Sequence, residues 1–426
     1  MNKFMEINKA LTFDDVLLVP KKSNHLPAES ITKTFLTNDI VLGIPIISAA
    51  MDTVSDYRLA IAIAQLGGIA CIHKNMSIEE QSQQIKNVKK FESGMVIDPI
   101  TISPDEDISF AIDLMKINKI SGIPVVDKNK KLVGIITNRD LRFTKNLKAK
   151  VKDLMTKKVI TVNEGVNSEY AKKLLHKYRI EKLVVVNKQF KCTGLITVKD
   201  LEKSQVFPDA SKDKNQSLRV AGAIGVNKEG LNRAEFLLES GADALILDTA
   251  HGHSVSVINT VKNIKKKFKF KNLIVGNVAT GDAAKELADN GADTVKVGIG
   301  PGSICTTRVV AGVGMPQFTA IQNVSSALKN YKVRVIADGG IRYSGDIAKA
   351  IGAGADMVMI GSLFAGTDEA PGEIFYYQGR SYKSYRGMGS LSAMARGSAD
   401  RYFQEDIKDN LKLVPEGIEG RVPYRG

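Results

Sequence analysis

Short apolar runs alternate with segments of helical spacing along most of the chain. Runs that read as strands stand at 45-PIISAAM, 68-GIACIHKN, 219-RVAGAIG, 244-ALILDTAHG, 273-LIVGNVAT, 293-DTVKVGIGPG, 333-VRVIADGG and 357-MVMIGSLF. They are apolar almost throughout, which is the pattern of parallel strands buried on both faces. Three of them follow the tripeptide Gly-Ala-Asp (241–243, 291–293 and 354–356), where a glycine ends a helix before the chain turns into a strand. Eight such units predict an α/β fold built as a (β/α)8 barrel.

Residues 92–204 interrupt this pattern after the second strand with an ungapped internal repeat of period 60. The run 100-ITISPDEDISFAIDLMK matches 160-ITVNEGVNSEYAKKLLH, and 124-PVVDKNKKLVGIITNRDL matches 184-VVVNKQFKCTGLITVKDL. Each copy reads as strand, helix and two further strands, and pairing the copies would bury faces that one alone leaves exposed. The expected organisation is barrel at 1–91, repeat copies at 92–151 and 152–204, and barrel again at 205–426. The pair resembles the tandem CBS module, an inserted α+β domain pair. In that family the Thr and Asp of a T-x-x-D ending face a nucleotide. The resemblance makes Thr137, Asp140, Thr197 and Asp200 candidates for an adenine or guanine nucleotide. The same short pattern also caps helices, and the alternative of an insert with empty sites stands beside it.

Composition narrows the class. With 43% apolar and 25% charged residues the chain is expected to fold, and it is long enough for one large domain and a smaller one. No apolar run suits a transmembrane helix, and the first residues lack a signal-peptide pattern, so a cytoplasmic protein without membrane attachment is expected. Cys71, Cys192 and Cys305 form neither a disulfide framework nor a zinc pattern. The net charge of +14 favours an anionic substrate, but the lysines are scattered and no specific nucleic-acid partner is expected. The one dense cluster, 265-KKKFKFK-271, reads as a solvated helix end, with an RNA site as the other reading.

The polar residues at strand ends carry the chemistry. In such barrels active sites form at the C-terminal ends of the strands, where Ser48, Asp248, Asn277, 298-GIGPGSICTTR-308, 338-DGG-340 and 361-GS-362 fall. Loops after the last two strands suit phosphate, and Asp338 beside them suits the hydroxyls of a ribose, unless the DGG is only a tight turn. Cys71 and Cys192 lie in apolar runs and read as packing. Cys305 lies in a glycine-rich loop near Arg308 and reads as a nucleophile, with packing as the alternative.

The motifs 12-TFDDVLL-18, 48-SAAMDTV-54, 298-GIGPGSICTTR-308, 338-DGGIR-342, 380-RSYKSYRGMGS-390 and 415-PEGIEGRV-422 together resemble the IMP dehydrogenase family, from residue 6 to 426. The resemblance implies that Cys305 attacks C2 of inosine 5′-monophosphate, that a hydride passes to NAD, and that hydrolysis releases xanthosine 5′-monophosphate. It assigns Ser48, Ser303, Gly340, Gly361, Ser362 and Tyr385 to the phosphate and Asp338 to the ribose. Gly387 joins the substrate site, with Met388, Gly389 and Glu416 at the base. Asp248 and Asn277 would meet the nicotinamide ribose, with Gly298 and Gly300 also at the cofactor. Thr307, Arg401 and Tyr402 would activate water, the last two from a mobile flap at about 390–406. The carbonyls of Gly300, Gly302 and Cys305 would hold a potassium ion, and a homotetramer is implied.

The chain stops at 421-RVPYRG-426, where the eighth barrel helix is expected to begin, so a barrel without that helix and without a C-terminal tail is expected. Two other readings remain. GMP reductase shares the cysteine loop, but by resemblance it lacks the insert and the Arg-Tyr pair. The other is a nucleotide-sensing protein with an inactive barrel.

Overall fold

The structure, a computed structural model, describes residues 9–426 apart from 92–95, 98, 119, 143, 145, 165, 199, 200, 202–206, 271, 408, 410 and 411. It divides into two compact units: residues 9–89, 209–213 and 218–426, and the described residues of 90–208 and 214–217.

The first unit is a closed parallel barrel of eight strands. They are β1 (Ile46–Ser48), β2 (Ile69–Ile72), β3 (Ala221–Ile224), β4 (Ala244–Asp248), β5 (Leu273–Val278), β6 (Thr294–Val297), β7 (Arg334–Asp338) and β8 (Met357–Ile360), with β8 closing onto β1. Every apolar run singled out in the sequence contains one of them. Helices follow the first seven strands: α1 (Tyr57–Gln65), α2 (Ile78–Lys90), α3 (Asn227–Glu239), α4 (Val255–Phe268), α5 (Gly281–Asp289), α6 (Gln317–Ala327) and α7 (Ser344–Gly352). Their apolar stripes supply the outer cover; α1, for example, buries Leu59, Ala60, Ile61, Ile63 and Ala64.

Side chains alternate across a strand, so every second residue points into a barrel. The central cluster shows that alternation: Ile69 and Cys71, Ala221 and Ala223, Ala244 and Ile246, Met357 and Met359. Continuing the period toward the C-terminal ends puts Asp248 above Ile246 and Asp338 above Ile336. On β6 it puts Lys296 two residues beyond Thr294. The uppermost interior layer is therefore charged.

The Gly-Ala-Asp tripeptides turn out to be clips. Asp243 Oδ2 accepts the Val220 N–H at 3.0 Å, and its own N–H donates to the Val220 carbonyl at 2.9 Å. Asp293 holds Leu273 at 2.8 and 2.9 Å, and Asp356 holds Val335 at 2.8 and 2.8 Å. Each clip ties the start of one strand to the start of the next. Lys89 reaches Asp243 at 2.8 Å and Lys265 reaches Asp293 at 2.6 Å. The lysine cluster is thus in part structural, since Lys267 also pairs with Glu235 at 2.7 Å. Among the described residues no helix is long and apolar enough to cross a membrane.

In the second unit the period of 60 is visible in the elements themselves. Strands Gly122–Val126 and Leu132–Thr137 recur as Lys182–Val186 and Cys192–Thr197, and helix Ile108–Ile117 recurs as Ser168–Tyr178. Each copy has its own small core: Ala111, Ile123, Val125 and Ile136 in the first, Ala171, Leu183, Val185 and Ile196 in the second. A third cluster mixes both copies, and Cys192 lies in it with Leu132 and Val186. Val151 packs in the first core, and Thr156 pairs with Ile135.

Candidate active site

A cleft of about 870 Å³ opens at the C-terminal ends of the barrel strands. The site is organised by Lys296, whose side chain is 1% exposed. Its Nζ donates to Asp248 Oδ1 at 2.9 Å, to Asp338 Oδ2 at 2.5 Å and to Asn277 Oδ1. Asn277 Nδ2 donates in turn to Asp338 Oδ2 at 2.9 Å and to the Gly298 carbonyl at 2.7 Å. A buried lysine is tolerable only with such partners. Together they fix two carboxylates that line the cleft. Lys296 was not singled out in the sequence; the signal was a lone lysine inside the otherwise apolar run 293-DTVKVG.

The cysteine loop lines the same cleft. Gly298 has φ of 152°, and a Cβ there would lie 2.0 Å from the Asp338 carbonyl, so only glycine lets the loop leave β6 so close to β7. The Cys305 thiol donates to Thr307 Oγ1 at 3.2 Å, and the Thr307 hydroxyl donates to Glu416 Oε2 at 2.8 Å. Backbone bonds hold Glu416 there: Thr306 N–H to the Glu416 carbonyl (2.9 Å) and Ile418 N–H to the Ile304 carbonyl (3.0 Å). Thiol, hydroxyl and carboxylate thus form one chain. Cys71, by contrast, is wholly buried in the barrel and burial pushes its thiol up, while Cys192 is buried in the second unit.

A second cavity adjoins the cleft and shares Gly302, Gly339, Gly361 and Tyr385 with it. Ser303, Gly340 and Ser362 line it, together with Arg308, Arg342 and Asp14; Asp14 pairs with Arg342, so the net positive edge comes from Arg308. Burial raises the Tyr385 phenol, so it stays a neutral donor. A Cβ at Gly361 would lie 2.8 Å from Tyr385 Oη, so the glycine is what admits the ring.

The segment after the cleft covers part of it. A one-turn helix at Leu391–Met394 leads to a 3-10 turn at Ser398–Tyr402. Arg401 pairs with Asp248 Oδ2, on the oxygen opposite to that held by Lys296, and the Arg401 carbonyl accepts from Ala250 N–H at 2.9 Å. Tyr402 lies beside it, its phenol pushed up by burial. Gly389 does not line the cleft. It clears space for Tyr402, whose ring carbon Cζ would be 2.8 Å from a Cβ there.

Most of the expected residues therefore converge. Asp248, Asn277, Gly298, Gly300, Gly302, Cys305, Thr307, Asp338, Gly387, Met388, Arg401, Tyr402 and Glu416 line the cleft. Ser48 does not. It is fully buried, and its hydroxyl oxygen accepts from Ser55 Oγ at 2.7 Å and from Cys71 N–H at 3.3 Å. Ile47 and Ala49 take the inward positions on either side of it, so the pleat turns Ser48 away from the cleft. In the second unit, Asp140 Oδ2 accepts both the Thr137 N–H (2.8 Å) and its hydroxyl (2.7 Å), closing a helix start. Thr197 ends the corresponding strand, and Asp200 lies outside the described residues.

This geometry can be set beside known proteins. Residues 10–426 match the IMP dehydrogenase / GMP reductase domain. The chain belongs to that family. Inosine-5′-monophosphate dehydrogenase of Rhizobium tropici is 55% identical over 98% of this chain and 84% of its own length. The enzyme of the same name from Aquifex aeolicus is 55% identical over 99% and 86%. Among solved structures, a cysteine-to-alanine variant of GMP reductase from Trypanosoma brucei, in complex with guanosine 5′-monophosphate, aligns with a TM-score of 0.89. It is 39% identical and covers 100% of this chain and 89% of its own. The inserted unit therefore does not separate the two activities of the family, contrary to the expectation from sequence.

Proposed function

We propose that this chain oxidises inosine 5′-monophosphate to xanthosine 5′-monophosphate in the cytoplasm, with NAD as hydride acceptor, as its IMP dehydrogenase relatives are named to do. The observation that carries the reading is the Cys305–Thr307–Glu416 chain, which points a thiol into the cleft and its proton toward a carboxylate. Cys305 would add through sulfur to C2 of the purine, its proton passing by way of Thr307 to Glu416. Bound NAD⁺ supplies the acceptor for the hydride that leaves C2. The resulting Cys305 adduct would then take a water oxygen at C2, the C–S bond would break, and the thiolate would be restored. The proton held by Glu416 would pass to solvent before this step, leaving Thr307 and Glu416 free to accept the water proton, with Arg401 and Tyr402 as the flap's contribution.

Asp338 is fixed by Lys296 and Asn277 for the ribose hydroxyls. Ser303, Gly340, Gly361, Ser362 and Tyr385 would receive the phosphate in the positive side cavity, and Gly387, Met388 and Glu416 the base. For NAD, the acceptors at Asp248 fit a ribose once Arg401 has left, so the flap and the dinucleotide would take turns. A potassium ion would be held by carbonyls of Gly300, Gly302 and Cys305. Among the described residues no cluster of three or more His, Cys, Asp or Glu could bind a metal, which leaves main-chain oxygens, the donors a hard cation prefers. A homotetramer belongs to the same reading. So does an adenine or guanine nucleotide at Thr137, Asp140, Thr197 and Asp200, where a ligand would have to displace the Thr137–Asp140 bonds.

The test is NADH formation by wild type and Cys305→Ala with inosine 5′-monophosphate, NAD⁺ and potassium. Turnover by the wild type alone supports the reading, and activity surviving in the variant overturns the nucleophile. The GMP reductase reading is kept because of the Trypanosoma brucei structure. It requires NADPH oxidation and ammonia release from guanosine 5′-monophosphate in the parallel assay.

A further inference from the structure

The turn that carries Arg401 and Tyr402 is fastened by a residue outside the cleft. Lys74, just past the end of β2, is 9% exposed and ion-paired through Nζ to Asp400 Oδ1. Asp400 immediately precedes Arg401 in the Ser398–Tyr402 turn. A third strand end shapes the same contact: a Cβ at Gly225, just past β3, would lie 2.5 Å from Asp400 Oδ2. The turn is bounded by Gly397 at φ 128° and Phe403 at φ 55°, backbone states that set it off from the chain on either side. Beyond the ion pair of Arg401 with Asp248 and the Ala250 N–H bond to the Arg401 carbonyl, the turn is thus tied to the barrel by a contact that touches none of the cleft.

We propose that Lys74 is a positioning residue for the hydrolytic half of the reaction, clamping Asp400 so that Arg401 and Tyr402 stay over the cleft. The inference rests on the reading above, in which the flap alternates with the dinucleotide. In that scheme a contact made only by the closed flap has no part in hydride transfer. It acts on the equilibrium between closed flap and bound NAD⁺, and a ligand or contact shifts an equilibrium only by its differential affinity for the two states. Removing one partner of a buried ion pair leaves the other charge uncompensated, which weighs against closure.

The test compares Lys74→Met, Lys74→Arg and Gly225→Ala with wild type in rapid-mixing and steady-state assays of NADH formation. The alanine variant displaces Asp400 by contact and removes no charge. For Lys74→Met and Gly225→Ala the first-turnover burst of NADH should keep its wild-type rate and amplitude. Steady-state kcat should fall at least tenfold as the Cys305 adduct accumulates, KM for NAD⁺ should not rise, and Lys74→Arg should restore much of the loss. A parallel fall of burst and steady state, or no change in either, overturns the proposal. If the wild type itself forms no NADH, the activity reading fails first. The clamp is then read by hydrogen exchange at residues 398–403 of the intact chain. Faster exchange in both variants supports it, and exchange equal to wild type overturns it.

Discussion

Lys296 Nζ lies 2.5 Å from Asp338 Oδ2, inside a barrel whose other upper-layer carboxylate, Asp248, is held by the same ammonium at 2.9 Å. One cation thus sets the positions of two acceptors that line the cleft. Lys296→Met keeps most of the length of the side chain and takes the ammonium away from both carboxylates. The expected result is a loss of about 3–5 kcal/mol in folding stability, as for other broken buried pairs. A rise in KM for inosine 5′-monophosphate of tenfold or more should accompany it. Denaturant titration and steady-state kinetics read the two effects. A variant with wild-type KM would mean that Asp338 needs no anchor.

Glu416→Gln keeps a hydrogen-bonding partner for Thr307 but removes the charge that makes the Cys305–Thr307–Glu416 chain a proton path. General acid–base groups contribute about 10²–10⁴-fold in rate. A fall of kcat within that range is expected, larger than any loss of substrate affinity from the contact of Glu416 with the base. The check is kcat across pH 6–9 with equilibrium binding of inosine 5′-monophosphate. A kcat equal to wild type would leave proton transfer to Arg401 and Tyr402.

His73 gives the fold an acid sensitivity of its own. Burial lowers its imidazole from 6.5 to about 4, with Arg386 and Arg233 acting the same way and Asp52 opposing them. Above about pH 6.5 it is neutral in both folded and unfolded chain and adds no slope. Between pH 6.5 and 4 the unfolded chain binds a proton that the folded one does not, so stability falls as pH falls, by roughly 3 kcal/mol across the window. His73→Asn, which retains an acceptor for the Asn75 N–H now bound to Nδ1 at 3.2 Å, should flatten that part of the curve. Unfolding midpoints at pH 5 and pH 7.5 for both proteins decide it.

Asp293→Ala removes the acceptor of the Leu273 N–H and the partner of Lys265. Leaving a buried donor unsatisfied costs about 1–3 kcal/mol. Stability should drop by that amount in a urea titration, while kcat per folded molecule stays at the wild-type value, since the clip lies at the strand starts, the end opposite to the cleft.

The barrel was legible because parallel strands buried on both faces must be apolar along their whole length, as 273-LIVGNV and 357-MVMI are. The cleft was legible where function demands polar residues just past such runs, as at Asp248 and Asp338. What failed was direction. Ser48 is polar at a strand end like the others, but the pleat sends Ile47 and Ala49 inward and the serine away. Lys296 failed for the reverse reason: alternation points it inward, yet a single lysine in an apolar run looks like the fraying of a strand. The clips of Asp243, Asp293 and Asp356 were seen only as helix stops, because their partners lie a full strand–helix unit earlier in the chain.

Lys89 belongs to the clip at Asp243, and it also pairs with Asp213 at 3.0 Å. These two residues stand where the chain leaves the barrel unit and where it returns. The detour of more than a hundred residues therefore begins and ends at points one ion pair apart, and it separates no strand from the neighbour its clip holds. The barrel is in this sense a closed circuit with a loop let into it at a soldered joint. A linker of a few residues in place of the detour would span the gap, and the joint itself would be kept.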